Sequence, residues 1–117
     1  EAKSIFSGLI RVDPEAQQTN ALQTNRNLLL SKEAEADSLP GLEILANDVR
    51  CTHGATTSRL NQEELFYLLS RGIEKKSAES LISLGFLEEI IDKIPDEDLA
   101  TKTRNLVSSH FNFSPHL

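Results

Sequence analysis

The sequence predicts a mixed β and α chain, with a strand-rich first part over residues 1–60 and a small helical domain over residues 61–117. Three observations carry this. Up to Asn47 the apolar residues come in short runs, broken by turn formers and by Asn and Thr, which are poor helix formers. After Arg59 the apolar residues recur at three- and four-residue spacing, the period of an amphipathic helix. Between the two parts, Asn61 followed by Glu64 has the pattern of a helix N-terminus, with Asn accepting from the first turn and Glu reaching back.

In the first part, Ile5-Phe6-Ser7-Gly8-Leu9-Ile10-Arg11-Val12 reads as a strand with a glycine irregularity, and Asp13-Pro14 as a turn. The polar segment Glu15 to Thr24 leads into Asn25-Arg26-Asn27-Leu28-Leu29-Leu30. Ala21, Leu22, Leu28 and Leu29 are compatible with a helix over Gln17 to Leu30. Thr19, Asn20, Thr24, Asn25 and Asn27 oppose one, so strand and loop is the preferred reading. Glu33, Glu35 and Asp37 alternate with Ala34 and Ala36, as on a solvated strand face. Leu39-Pro40-Gly41 is read as a turn, Leu42 to Ala46 as a strand, and Val49 to His53 as another. The asparagines are assigned to turns or corners. Hairpin dipeptides such as Asn-Gly are missing, which argues against a compact antiparallel sandwich. Short strands with polar corners also fit a parallel β-helix, in which each coil adds a rung. Without a strict repeat, the residue pattern alone establishes only a β-rich region.

In the second part, Leu65, Leu68 and Leu69 share a helix face that Arg71-Gly72 closes, Gly72 being suited to the left-handed residue after a helix. A second helix is expected from Lys76 to about Lys93. Ala78, Leu81, Ile82, Phe86, Ile90 and Ile94 form its stripe, widened by Leu84, Leu87 and Ile91. Gly85 is read as a place where another backbone comes close. So apolar a helix either touches neighbours on both sides or docks another protein. Pro95 ends it, and Asp96-Glu97-Asp98 caps a third helix with Leu99, Thr103, Leu106, Val107 and His110 inward. The tail from Asn112 to Leu117 is expected to fray.

A chain of 117 residues with 38% apolar content has a core but little spare volume. The formal net charge is −6, and the lysines and arginines are scattered. Both facts argue against nucleic acid, whose phosphates need clustered cations, and against anionic membrane surfaces. The single cysteine allows no internal disulfide, no apolar run is long enough to span a bilayer, and the N-terminus lacks the regions of a secretory signal. With no methionine and a start at Glu1-Ala2-Lys3-Ser4, the chain is expected to be a piece of a larger protein.

The chemistry-bearing stretch is Val49-Arg50-Cys51-Thr52-His53-Gly54-Ala55-Thr56. On one strand Cys51 and His53 point to the same side, since side chains alternate. A thiolate beside an imidazole ligates a transition metal or holds a reactive thiol. The competing reading is a structural strand cysteine with a hydrogen-bonded histidine neighbour.

That stretch, with Glu64-Leu65-Phe66-Tyr67-Leu68-Leu69-Ser70-Arg71-Gly72-Ile73 after it, resembles the SufB/SufD family of iron–sulfur cluster assembly proteins. Gln23 to Leu30 and Ala34 to Ile44 resemble it too, so the likeness runs over roughly residues 5 to 95 with its motifs in order. The Cys-Thr-His-Gly-Ala-Thr run is closer to the SufD paralogue, whereas Thr57-Ser58 is reminiscent of SufB. The resemblance implies the terminal rungs of a right-handed parallel β-helix followed by a C-terminal helical domain. It also implies a non-enzymatic scaffold subunit that pairs with a SufB-like paralogue and docks a SufC-like ATPase. By position it makes Cys51 and His53 candidates for contact with an iron–sulfur cluster, transient and held only with a partner subunit. None is expected in the isolated fragment. Phe66, Tyr67, Arg71, Gly72, Ile73 and Phe86 fall where the ATPase is expected. The compartment would be the bacterial cytosol or the plastid stroma.

Two other readings stand beside this scaffold half-site. In one, the helices form a pure interaction module and Cys51 is only structural. In the other, Cys51 is the nucleophile of a cysteine-dependent enzyme. His53 is poorly placed as its base, so His110 or His116 would have to approach. Asp96-Glu97-Asp98 is read as a helix cap rather than a metal site. An unpaired rung edge is also expected to favour self-association.

Overall fold

The computed structural model describes residues 2–111. The frayed tail expected over Asn112 to Leu117, with His116, lies outside them. The chain divides into two compact units, Glu1–Arg59 and Leu60–Leu117.

The first unit holds four strands, β1 (Lys3–Val12), β2 (Asn20–Leu29), β3 (Glu35–Ile44) and β4 (Arg50–Arg59). They form two parallel two-stranded sheets, β1 with β3 and β2 with β4. Parallel partners must start from the same end, so the chain needs a way back between them. Here the intervening strand supplies it: β2 runs between β1 and β3, and β3 between β2 and β4. Lys3 pairs with Glu35 and Val12 with Ile44, a constant step of 32 residues. Asn20 pairs with Arg50 and Leu29 with Arg59, a step of 30. Each strand therefore keeps one unpaired edge.

Alternation gives each strand an inner and an outer side. Phe6, Gly8, Ile10 and Val12 on β1 are covered, as are Ala36, Ser38 and Pro40 on β3 and Ala21, Gln23, Asn25 and Asn27 on β2. Inner sides of β2 and β3 meet through polar groups. Ser38 Oγ donates to Asn25 Oδ1 at 2.8 Å, and Asn27 Nδ2 donates to the same oxygen at 2.6 Å. Asn27 Nδ2 also lies 3.3 Å from the Thr56 carbonyl of β4. On the outer side, Ile5, Leu9 and Leu39 are exposed. Lys3 flanks them, paired with Asp37 at 2.8 Å and Glu35 at 3.5 Å, an arrangement that raises its pKa chiefly through the hydrogen bond to Asp37.

Corners stack as the strands do. Gln18, at φ 62°, donates its backbone N–H to the Asp48 carbonyl, and Gln17 Oε1 accepts the Asp48 N–H at 2.9 Å. Arg59 Nη1 donates to the Ser31 carbonyl at 2.6 Å.

Three features correct the sequence reading here. Leu39-Pro40-Gly41 is no turn; β3 passes straight through it. Proline fits because β3 has a neighbour on one edge only, so the missing N–H disturbs little of the ladder. Asn25 and Asn27 are inner strand residues rather than corners, because each satisfies its amide on Ser38 or on the other. The last strand runs on past His53 to Arg59, held by its register with β2.

The second unit holds α1 (Gln62–Ser70), α2 (Lys75–Ile91) and α3 (Glu97–His110). Asn61 Oδ1 accepts the N–H groups of Glu63 and Glu64 at 2.9 and 3.3 Å, and Asp96 Oδ1 accepts that of Leu99 at 2.9 Å. Both caps thus satisfy donors that a helix start leaves free. At the other end of α1, Gly72 takes φ 84°. Its N–H donates to the Leu69 carbonyl and that of Ile73 to Leu68, the two bonds of a Schellman ending.

Leu65, Ala78, Ile91 and Ala100 are the buried apolar side chains of the helices. Ser83 is buried with them, its hydroxyl donating to the Glu79 carbonyl at 2.8 Å. Arg104 of α3 bonds Glu88 and, at 3.3 Å, Asp92 of α2. Its pKa is raised, first by the hydrogen bond to Glu88.

Here too the expected faces shift. Leu99 and Leu106 are 52% and 74% exposed and His110 is exposed; of the expected face Thr103 and Val107 are covered, joined by Ala100 and Arg104. A Cβ on Gly85 would meet nothing within 4 Å, so no second backbone comes close there. Among the described residues no helix is long and apolar enough to cross a membrane.

A Cβ on Gly8 would press on Gln23 Nε2 and fall 2.8 Å from the Phe6 ring. Gly8→Ala is therefore expected to lower stability by about 1–3 kcal/mol, the usual cost of overpacking, read from the urea midpoint. Gly72→Ala places a side chain in the left-handed region and is expected to cost about 1–2 kcal/mol by the same measurement.

Candidate functional site

Strand β4 lies directly beside β2, so each of its residues has a fixed neighbour. Cys51 stands beside Ala21 and His53 beside Gln23. Cys51 and His53 share a side of β4 by alternation, with Cα atoms roughly 6.5 Å apart. The Cys51 thiol is free and half-buried, next to the small Ala21; His53 is exposed. Both thus sit on a regular ladder instead of a loop. Among the described residues no strand pairs with the other edge of β4.

Beneath the pair the inner side is polar. Gln23, Asn25 and Asn27 follow one another at two-residue spacing on β2, all half-buried. Asn25 and Asn27 are engaged with each other and with Ser38. Gln23 rests its Nε2 against Gly8, while its Oε1 is buried without a hydrogen-bond partner among the described residues. Sequence reasoning missed Gln23. The signal was available as a polar residue every second position, Gln23, Asn25, Asn27, which marks a strand side that is covered yet hydrogen-bonding.

In the helical unit, the residues singled out from the sequence divide into three groups. Phe66 and Tyr67 are 72% and 56% exposed on α1. Arg71 lies over the Tyr67 ring, 5.0 Å from its centre, a cation–π contact that holds the ring. Gly72 and Ile73 form the Schellman ending and so fix where α1 stops. Phe86 is half-buried on α2. An open groove of about 500 Å³ runs between α1 and α2, lined by Glu63, Glu64, Tyr67, Leu68, Leu81 and Ile82. Leu81 and Ile82 were read only as stripe residues, and α2 carries too many apolar positions for its sequence to say which face stays open. Among the described residues no three His, Cys, Asp or Glu side chains converge as a metal site.

Residues 1–86 match the protein family described as SUF system FeS cluster assembly, SufBD core domain. The chain belongs to the SufBD family. Among its relatives, the iron–sulfur cluster assembly protein SufD of Escherichia coli is 44% identical over 99 residues, 85% of this chain and 23% of that protein. A SufBD family protein of Synechocystis is 46% identical over 107 residues, 92% of this chain and 24% of the relative. The chloroplastic protein ABCI7 of Arabidopsis thaliana is 41% identical over 105 residues, 90% of this chain and 22% of that protein. The chain thus spans about a quarter of the length of the curated relatives it matches. SufBD membership accords with the resemblance seen in the Cys51–His53 strand and the Phe66–Ile73 helix end, and the match extends over both β sheets into α2.

Proposed function

We propose that this chain is a C-terminal portion of a SufD-like, non-enzymatic scaffold subunit of iron–sulfur cluster assembly. The observation that supports it most directly is the pairing of Cys51 and His53 on one side of a strand whose outer edge is open. The constant parallel steps of 32 and 30 residues support reading residues 1–60 as the terminal rungs of a right-handed parallel β-helix, with residues 61–117 as its helical domain.

In this reading the cluster is cargo. Cys51 as thiolate and neutral His53 offer a soft and a borderline donor to iron. An iron–sulfur cluster needs more donors than these two, so a SufB-like subunit beside β4 supplies the rest. Subunits of this kind work in the bacterial cytosol or the plastid stroma. The free edges of the sheets also favour pairing with another copy when no partner is bound.

The test is reconstitution of the full complex with Cys51→Ser or His53→Ala, followed by assay of bound iron and labile sulfide. Loss of a ligand is expected to weaken cluster retention at least as much as loss of a supporting group, roughly 10–100-fold. Retention unchanged in both variants removes the ligand role and leaves Cys51 structural.

A SufC-like ATPase would dock on the helical domain, at Phe66, Tyr67, Arg71, Gly72, Ile73 and Phe86. Exposed Phe66 and Tyr67 beside an apolar groove support this, since aromatic anchors carry most of the affinity of a typical interface. Phe66→Ala with Tyr67→Ala is expected to weaken ATPase binding by about 30-fold or more, measured by titration calorimetry. Unaltered affinity with folded helices would move the docking surface elsewhere.

A further inference from the structure

Gln23 holds a buried side-chain oxygen, Oε1, that has no hydrogen-bond partner among the described residues. A carbonyl removed from water and left unpaired is costly, so such a group marks a place where a donor is wanted. Its Nε2 lies against Gly8, where the missing Cβ leaves it room. The residue paired with Gln23 on the next strand is His53. In-register residues of neighbouring strands face the same side about 4.8 Å apart, a gap that an amide and an imidazole together bridge. His53 itself is exposed, so its ring has freedom to turn one nitrogen toward Gln23.

We propose that Gln23 is a positioning residue for His53: its amide oxygen accepts the imidazole N–H, fixing the tautomer and the direction of the ring. The second ring nitrogen then keeps its lone pair and faces away from Gln23, on the side of β4 that carries Cys51. A neutral imidazole with no such bond presents either nitrogen; one that donates to a carbonyl presents a single, more basic donor atom. The ligand class is a borderline transition-metal ion such as ferrous iron. The use of that nitrogen rests on the scaffold reading, but the Gln23–His53 hydrogen bond does not, and the two fail separately.

The experiment is nitrogen-15 imidazole spectroscopy of the metal-free protein, at a pH where His53 is neutral. In the unaltered protein the ratio of the favoured to the disfavoured tautomer of His53 should exceed its value in an unconstrained imidazole by severalfold. Gln23→Met keeps the length of the side chain without the acceptor and should abolish the excess; Gln23→Glu should restore it. An unaltered protein with the unconstrained ratio overturns the proposal without any variant having to fold. So does an excess that survives in Gln23→Met, which would mean that an acceptor other than Gln23 holds the His53 N–H. A tautomer that responds as expected, in a protein whose His53→Ala variant still assembles clusters, upholds the hydrogen bond and rejects the ligand role.

Discussion

The in-register parallel pairing of β4 with β2 decides what the site is. It gives Cys51 a small neighbour, Ala21, and His53 a long polar one, Gln23. It also sets the side on which all four lie. Neither candidate ligand depends on a loop conformation, so their separation is fixed by strand geometry and their surroundings by the residues 30 positions earlier. The inner hydrogen bonds among Asn25, Asn27 and Ser38 add to this by tying β2 to β3, the strand of the other sheet. A purely apolar interior would pack the sheets without specifying which residue faces which; directional bonds between amides and a hydroxyl define the alignment.

Much of this was legible in the sequence, and the failures have physical reasons. The order of strands before helices, both asparagine and aspartate caps and the left-handed Gly72 were all readable, because capping and turn chemistry are local. Pro40 misled because proline and glycine usually punctuate a chain. A strand with one bare edge tolerates them, and that edge is a property of the sheet, invisible in the segment. Asn25 and Asn27 misled for the converse reason: their partner Ser38 is 11 or 13 residues away. In the helices, Leu99 and Leu106 fit an apolar stripe, yet both are exposed, while Arg104 of the same helix is half-buried against Glu88 and Asp92. Gln23 could be found only once its neighbour on β4 was known.

The two units differ in what their exposed apolar residues mean. On the first, Ile5, Leu9 and Leu39 form part of an outer sheet side bordered by the Lys3 ion pairs. On the second, Phe66 and Tyr67 sit in the middle of a short, well-capped helix that Gly72 ends and whose Tyr67 ring Arg71 covers. Rigid presentation of this kind lowers the entropy lost when a partner binds, whereas the outer sheet side has no comparable anchor.

The unequal steps of the two ladders bear on how such a chain tolerates changes in length. Seven residues, 13–19, join β1 to β2, but five, 45–49, join β3 to β4, and still Asn20 stands opposite Arg50. The surplus is taken up in the Pro14-Glu15 turn and at left-handed Gln18, outside the ladders. Corners can therefore gain or lose residues while the inner and outer sides are preserved. A single residue inserted between Arg50 and Cys51 would be different in kind: if Arg50 held its register, Cys51 and His53 would move on by one place and turn to the opposite side of the sheet. The spacing of the pair is protected by geometry along the strand, and its position in the chain is buffered by the corners, so insertions and deletions are filtered according to where they fall.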